Sequence, residues 1–212
     1  RVNDLFVAEE GVGQVTGTLA LRRQELRGEI DVASPRLAVT GTGRIALTRQ
    51  SDAEISFRFH DSSLDPYVRL FVPSLSEFTT AIAGGSIRVV GPLGDLDRLQ
   101  VDGTVDSLEL RLLDYAVHNA TPIRLALARR QIRVNELRLE GVDTRLRVGG
   151  TVGLQDERIA LQVAGDANLG ILQGFFPGSI RGSGRAEVTA AIDGPLRRPL
   201  FSGNATLTNG RI

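Results

Sequence analysis

Apolar and polar residues alternate with a period of two along most of the chain. Ile55, Phe57 and Phe59, for example, are separated by Ser56 and Arg58. Such alternation places successive side chains on opposite faces of a β-strand. About fifteen short segments of this kind occur, punctuated by turn residues, and many carry charged residues on one side. The sequence therefore predicts an all-β, antiparallel-rich fold in which each strand has one apolar and one water-facing side.

Two stretches have a helical pattern instead. After Asp65 and Pro66, apolar residues recur at spacings of three and four, which predicts a helical segment near 65–83 that Pro73 divides. A shorter stretch near 167–176 has the same spacing and is also followed by a proline. We therefore expect two short helical insertions in an otherwise all-β chain.

The surroundings of these two stretches resemble each other. Residues 36–42 recur as 145–151, and Gly91-Pro92-Leu93 recurs as Gly194-Pro195-Leu196, in the same order and about 105 residues apart. This predicts two tandem units. The first, 1–110, would contain the insertion near 65–83, and the second, 111–212, the shorter insertion near 167–176.

Composition and charge argue against several functions. The 25 acidic residues balance 25 basic residues, so the chain lacks the basic excess typical of nucleic-acid binding. It has no cysteine and only two histidines, His60 and His118, and no metal-ligand spacing. The glycine pairs at 11–13 and 182–184 lack the lysine of a phosphate-binding loop, and we expect them in turns or bulges. We predict a protein that is not an enzyme and uses neither cofactor nor metal.

The apolar strand faces exceed what two short helical segments can cover. Two architectures remain possible: two sheets that face each other in a dry sandwich, or one long sheet curled into a groove with an open apolar inside. If the groove is correct, its predicted lining comprises Ile55, Phe57, Phe59, Ile87, Val89, Leu108, Leu110, Leu112, Ile123, Leu125, Leu127, Ile159, Leu161, Val163, Val188 and Ile192.

The segment 194–212 resembles a unit of the TamB family. Its Gly194-Pro195-Leu196 is followed by a proline-containing link and then by Phe201-x-Gly203, with Leu207 and Asn209-Gly210 after it. The segment from Gly91 to Val105 is a looser copy without the second proline and the Asn-Gly. The helix-proline stretches also fit this family and its AsmA-like relatives.

The resemblance implies a long, curled β-sheet of the β-taco kind with an apolar groove. It also implies a periplasmic location in a diderm bacterium, within a protein anchored in the inner membrane, of which this chain would be an interior segment without the anchor. The implied function is lipid transport between inner and outer membrane, in which the groove shields phospholipid acyl chains. The implied partners are acyl chains, neighbouring repeats of the same longer chain, and an Omp85-type outer-membrane barrel.

The residues are also compatible with a different function. Exposed sheet edges can template strands of another protein by β-augmentation, which would make the chain a scaffold for outer-membrane protein assembly or secretion. A carbohydrate-active or adhesive β-solenoid is a weaker alternative, because its coils are much shorter than the 105-residue unit.

Overall fold

The architecture is taken from a computed structural model of the chain. It describes residues 2–7, 10–65, 79–95, 97–112, 114–171, 183–196 and 198–211. These residues form fourteen β-strands and very little helix, so the predicted all-β, antiparallel fold is confirmed. The strands are β1 (Val2–Val7), β2 (Glu10–Arg22), β3 (Glu25–Ala33), β4 (Ala38–Ala46), β5 (Asp52–Ser63), β6 (Thr79–Pro92), β7 (Gln100–Leu112), β8 (Tyr115–Asn119), β9 (Ile123–Ala128), β10 (Gln131–Gly141), β11 (Thr144–Gly153), β12 (Arg158–Asn168), β13 (Ser183–Pro195) and β14 (Leu200–Arg211).

All fourteen strands belong to one sheet. Each pairs antiparallel with its neighbours, and sheet order follows chain order from β1 to β14. The single variation is in the middle, where β8 and β9 both lie between β7 and β10. They occupy successive stretches of the same two partners, so they act as one strand interrupted at residues 120–122. The arrangement is a meander, the simplest way to connect antiparallel strands.

Three irregularities in the pairing keep one set of side chains on one face. The register shifts between Phe59 and Ser62 in β5, opposite Gly84 and Gly85 in β7, and between Val134 and Leu137 in β10. Because side chains alternate between the two faces, one extra residue in a strand would move all later side chains to the opposite face. A β-bulge absorbs one residue and restores the phase.

The predicted helical insertions lie largely outside the described residues, since 66–78 and 172–182 are not among them. The end of the first expected span is wrong, because residues 79–83 belong to β6 and pair with β7. Residues 167 and 168 likewise end β12, and only Leu169–Ile171 form a helical turn. Thr80 and Ile82 are exposed while Ala81 and Ala83 are buried, which is a strand alternation that the helical reading overlooked.

The two expected units show the same order of elements. The four strands β2 to β5 precede the first undescribed segment, and β6 and β7 follow it; β9 to β12 precede the second, and β13 and β14 follow it. The turns at Arg23-Gln24 and Arg129-Arg130 share one conformation, with all four φ angles between 48° and 64°. The expected boundary between 110 and 111 lies within β7, and the sheet continues across it. Superposition of 19–110 on 125–212 stays a prediction.

The buried core is small for a sheet of this size. Its centre is Leu112, Val117 and Ile171, which pack with the partly buried Leu110 and Tyr115. Ile171 belongs to the helical turn after β12, so this turn reaches β7 and β8 and covers one end of their strands. The remaining described residues that are both large and fully buried are few, and most apolar strand residues are only half buried.

Candidate functional site: a continuous apolar sheet face

All sixteen predicted lining residues lie on the same face of the sheet. Directly paired residues of antiparallel strands share a face, so the face can be followed from strand to strand through the register. We call this side the apolar face and the other the polar face. One row of paired residues on the apolar face, the central ladder, crosses the sheet from β2 to β14. It consists of Gly17, Ile30, Gly41, Phe57, Ile87, Gly103, Leu125, Val134, Gly150, Leu161, Ile192 and Phe201.

Among the strand residues whose side chains the structure describes, the apolar face carries no charge. A second ladder beside the first contains Ile55, Val89, Val101, Leu127, Ile132, Val152 and Ile159. At a strand spacing of ~4.8 Å, the central ladder is about 50 Å long. The central ladder is therefore a hydrocarbon strip many times longer than one side chain.

Three polar residues on this face, Ser62, Asn119 and Thr144, are hydrogen-bonded within the chain. The Ser62 hydroxyl accepts a hydrogen bond from the Ala38 N–H at 3.3 Å and donates to the His60 carbonyl at 3.0 Å. Thr144 Oγ1 accepts from the Asn168 N–H at 3.2 Å. The Asn119 side chain accepts from the Leu108 N–H at 2.6 Å and donates to the carbonyl of Asp106 in the β7 bulge. These groups complete bulges and strand ends, so they offer little polarity to a ligand.

Most of the predicted lining residues are only half buried. Ile87 is exposed, Leu112 and Ile123 are buried, and the other thirteen are intermediate. Further along the same face, Leu19 is 75% exposed and Phe201 56% exposed. Because all described strands belong to one sheet, no second sheet among them packs on this face. The dry two-sheet sandwich is thus absent from the described part of the chain.

The sequence analysis missed the role of glycine on this face. Apart from Gly94 and Gly170, every glycine that the structure describes lies within a strand. Gly11 and Gly13 flank a register irregularity between β1 and β2, and Gly184 lies at one between β13 and β14, which agrees with the expected bulges. On the apolar face, glycines stand opposite large side chains. A Cβ at Gly41 would come within 2.7 Å of Cδ1 of the Phe57 ring.

Glycines of the central ladder therefore give room to their neighbours. Gly150, opposite Leu161, has a φ of +139°, and a Cβ there would lie 2.1 Å from the carbonyl oxygen of Ala160. Strand glycines often mark bulges or close backbone approach. The period-two alternation of glycine with aliphatic residues was the signal that could have revealed this.

The polar face is organised by ion pairs between neighbouring strands. Glu54 in β5 accepts hydrogen bonds from Arg88 in β6 at 2.5 Å and from Arg44 in β4 at 2.8 Å. The hydrogen bond from Arg88, then that from Arg44, lowers the pKa of the Glu54 carboxyl below its usual range. Arg185 holds the pKa of Asp166 low in the same way, across β12 and β13.

The two histidines of the chain do not lie near each other in the sheet. His60 and His118 are exposed on the polar face and lie on different strands, β5 and β8. No group of three or more potential metal ligands forms among the described residues.

Comparison with other proteins gives no relative. No protein-family model, no curated protein and no solved structure matches this chain. None of the helices in the described part of the chain has the length and hydropathy needed to cross a bilayer. The apolar face is thus the feature on which a functional interpretation can be based.

Proposed function

We propose that the apolar face binds lipid acyl chains and that the chain is a segment of a conduit for phospholipids between two membranes. The observation that carries the proposal is the central ladder, which contains only glycine, aliphatic and aromatic residues from Gly17 to Phe201. A sixteen-carbon chain exposed to water costs roughly 12 kcal/mol, at ~0.8 kcal/mol per CH₂. A long, charge-free and partly exposed face lowers this cost at every position along the path.

The uniformity of the face suits passage better than tight binding at one place. A ligand that must move needs sites of similar affinity, and neighbouring positions of the central ladder offer the same aliphatic chemistry. The resemblance of 194–212 to TamB units adds the proposed setting, a periplasmic segment of an inner-membrane-anchored protein in a diderm bacterium. We infer no catalytic step for it.

The test is a pair of substitutions on opposite faces of β12. Leu161 faces Gly150 and Ile192 in the central ladder, whereas the neighbouring Gln162 is exposed on the polar face. Leu161→Arg places a charge in the hydrocarbon path, which must be desolvated or draws in water. We expect a folded protein whose lipid crosslinking from a photoreactive residue at position 192 falls at least about fivefold.

Gln162→Arg is the matched control, and we expect crosslinking like that of the parent protein. Thermal melts of both variants establish folding. A folded Leu161→Arg variant with undiminished crosslinking contradicts the conduit, and global unfolding indicates that residue 161 is buried in a closed core, where an unpaired charge is strongly destabilising.

One observation favours a second candidate function, strand templating. Within the described residues β14 pairs with β13 alone, and its stretch 200–208 is exposed and contains neither charge nor proline. Charges and prolines are the usual protection of sheet edges, so this edge can accept another strand. We propose this scaffold role, with an Omp85-type barrel as partner, as the alternative. This alternative predicts that Leu161→Arg leaves outer-membrane protein assembly or secretion unchanged.

A further inference from the structure

Three turns at one rim of the sheet enclose a cavity on the polar face. The turns follow β6, β9 and β11, and the cavity has a volume of about 940 Å³, within the range of roughly 300 to 1,000 Å³ typical of small-molecule sites. Gln131 and Arg133 of β10 line it. The residue between them, Ile132, belongs to the second apolar ladder, and successive side chains of a strand lie on opposite faces. The cavity therefore opens away from the apolar face, and a ligand in it is separate from any acyl chain on that face.

The cavity carries a positive charge that its own carboxylates only partly neutralise. Four arginines and two aspartates line it, so the lining has two net positive charges in a chain whose overall net charge is zero. Arg130 Nε lies 2.8 Å from Oδ1 of Asp97. In the stretches that the structure describes, no carboxylate lies within salt-bridge distance of Arg98, Arg129 or Arg133. These three guanidinium groups are available to an anion.

Hydrogen bonds hold the three turns in place. The Leu154 N–H donates to the Arg130 carbonyl at 2.8 Å, which joins the turn after β11 to the turn after β9. In the turn after β6, the Asp97 N–H donates to the Asp95 carboxylate at 3.1 Å, and the Arg98 N–H donates to the Asp95 carbonyl at 3.2 Å. The cavity wall is therefore formed before a ligand binds, which lowers the entropic cost of binding.

The rest of the lining suits hydroxyl groups. Gln100, Gln131 and Gln155 contribute side-chain amides, which both donate and accept hydrogen bonds. The Asp156 carboxylate lies against Gly153, where a Cβ would overlap it, so the glycine gives this acceptor its place at the end of β11. The lining, as far as the structure describes it, includes no aromatic side chain, so a nucleobase has no ring on which to stack. The cavity thus favours a hydrophilic, hydroxyl-bearing anion over a nucleotide.

We propose that this cavity binds a water-soluble phosphate monoester that also carries hydroxyl groups, such as a sugar phosphate. A phosphate monoester has about 1.5 to 2 negative charges at neutral pH, which matches the net charge of the lining better than a single carboxylate does. A guanidinium group can donate two parallel hydrogen bonds to phosphate oxygens. Arg129 and Arg133 bind the phosphate, and Gln131 and Asp156 bind the hydroxyl groups. The inference does not rest on the proposed function, because the site lies on the opposite face of the sheet.

The experiment measures binding by calorimetry in the parent protein and in an Arg129→Gln/Arg133→Gln double variant. The probes are glucose 6-phosphate, inorganic phosphate, glucuronate and glucose, which differ in their charged group and in their hydroxyl groups. We expect the parent protein to bind glucose 6-phosphate at least about tenfold more tightly than each other probe, because only this probe engages both parts of the lining. The double variant should lose at least about tenfold in affinity for glucose 6-phosphate.

The matched control is an Arg23→Gln/Arg58→Gln double variant, which removes the same charge outside the cavity. Arg23 lies in a turn with positive φ angles like those of Arg129 and Arg130, and Arg58 is exposed on the polar face of β5. We expect the control to bind all probes like the parent protein. Thermal melts establish the folding of both double variants. If the cavity variant does not fold, Arg98→Gln in a different turn takes its place.

Each other outcome overturns the proposal or a part of it. If the parent protein does not bind glucose 6-phosphate, or if the cavity variant binds it unchanged, the site is wrong. An equal loss in the control variant would show a general effect of charge and would also overturn the site. If inorganic phosphate binds as tightly as glucose 6-phosphate, the assignment of a hydroxyl-bearing ligand fails, and if glucuronate binds as tightly, the preference for phosphate fails. None of these results bears on lipid crosslinking from the apolar face, so the two proposals fail separately.

Discussion

The two faces of the sheet are made by the same strands, yet they meet water in opposite ways. On the polar face, partners such as Glu54 and Arg88 satisfy each other between adjacent strands. On the apolar face, Phe57 lies over Gly41 and pairs with Ile87, and it remains half exposed. The polar face is complete in itself, whereas the apolar face is covered among the described residues only where the helical turn with Ile171 packs on Leu112 and Val117. The comparison teaches that the fold is stabilised within one sheet and leaves hydrocarbon surface available for a ligand.

The largest difference in unfolding free energy should be between alanine substitutions of two glycines on opposite faces of β11. Gly150→Ala puts a Cβ against the Ala160 carbonyl oxygen in a backbone conformation that only glycine adopts readily. We expect a loss in unfolding free energy on the order of 4 kcal/mol. Gly149→Ala, on the polar face, meets its nearest atom at 3.3 Å and should cost less than about 1 kcal/mol. Urea titrations measure both, and equal losses would contradict the described backbone path.

The second-largest difference in unfolding free energy should be between substitutions in a covered part and in an uncovered part of the apolar face. Leu112 is fully buried against Val117 and Ile171, so Leu112→Ala should cost about 3 kcal/mol of unfolding free energy. Leu161 is half buried, and Leu161→Ala should cost about 1 kcal/mol because less apolar surface is returned to water. Chemical denaturation distinguishes the two. Similar costs would mean that a cover packs on Leu161 as well.

The smallest effect concerns the ion pairs of the polar face. The folded-state pKa of Glu54 lies below its ordinary value of 4.5, so the unfolded chain binds the proton more readily. Its contribution to stability is present above that ordinary value and disappears as the pH falls through the folded-state pKa. Glu54→Gln should therefore lower Tm slightly at pH 7 and progressively less in acid.

Glu29, also exposed on the polar face, is the control for this substitution because it forms no ion pair with a described residue. Glu29→Gln should leave Tm nearly unchanged across the same pH range. A Glu54→Gln deficit that persists unchanged in acid would show that its origin is not the carboxylate.

Much of the fold could be predicted from the alternation alone. Period two identified the strands and placed residues as distant as Ile55 and Ile192 on one face, because in a meander each strand inherits its face from its neighbour. The helical reading of 79–83 failed for a physical reason. Apolar residues on both sides of a strand, such as Ala81 and Ile82, produce spacings that a helix shares.

The candidate sites were harder to predict. Glycine opposite a large side chain is invisible without the register, since pairs such as Gly103 and Leu125 are separated along the chain. Arg98 and Arg129 line one cavity at a rim of the sheet, although they lie in turns far apart in sequence that only the sheet order brings together. The alternation of apolar and polar residues predicts which face of the sheet a side chain occupies. Which residues lie beside each other on neighbouring strands follows only from the strand order and the register.

The most direct measurement of the central claim is lipid crosslinking from adjacent positions on opposite faces of β5. A photoreactive amino acid replaces Phe57 on the apolar face in one protein and Arg58, exposed on the polar face, in another. After irradiation in cells, mass spectrometry identifies the adducts. The account predicts phospholipid adducts at position 57 and at most a tenth as many at position 58. Equal labelling at both positions, or none at position 57 in a folded protein, would contradict it.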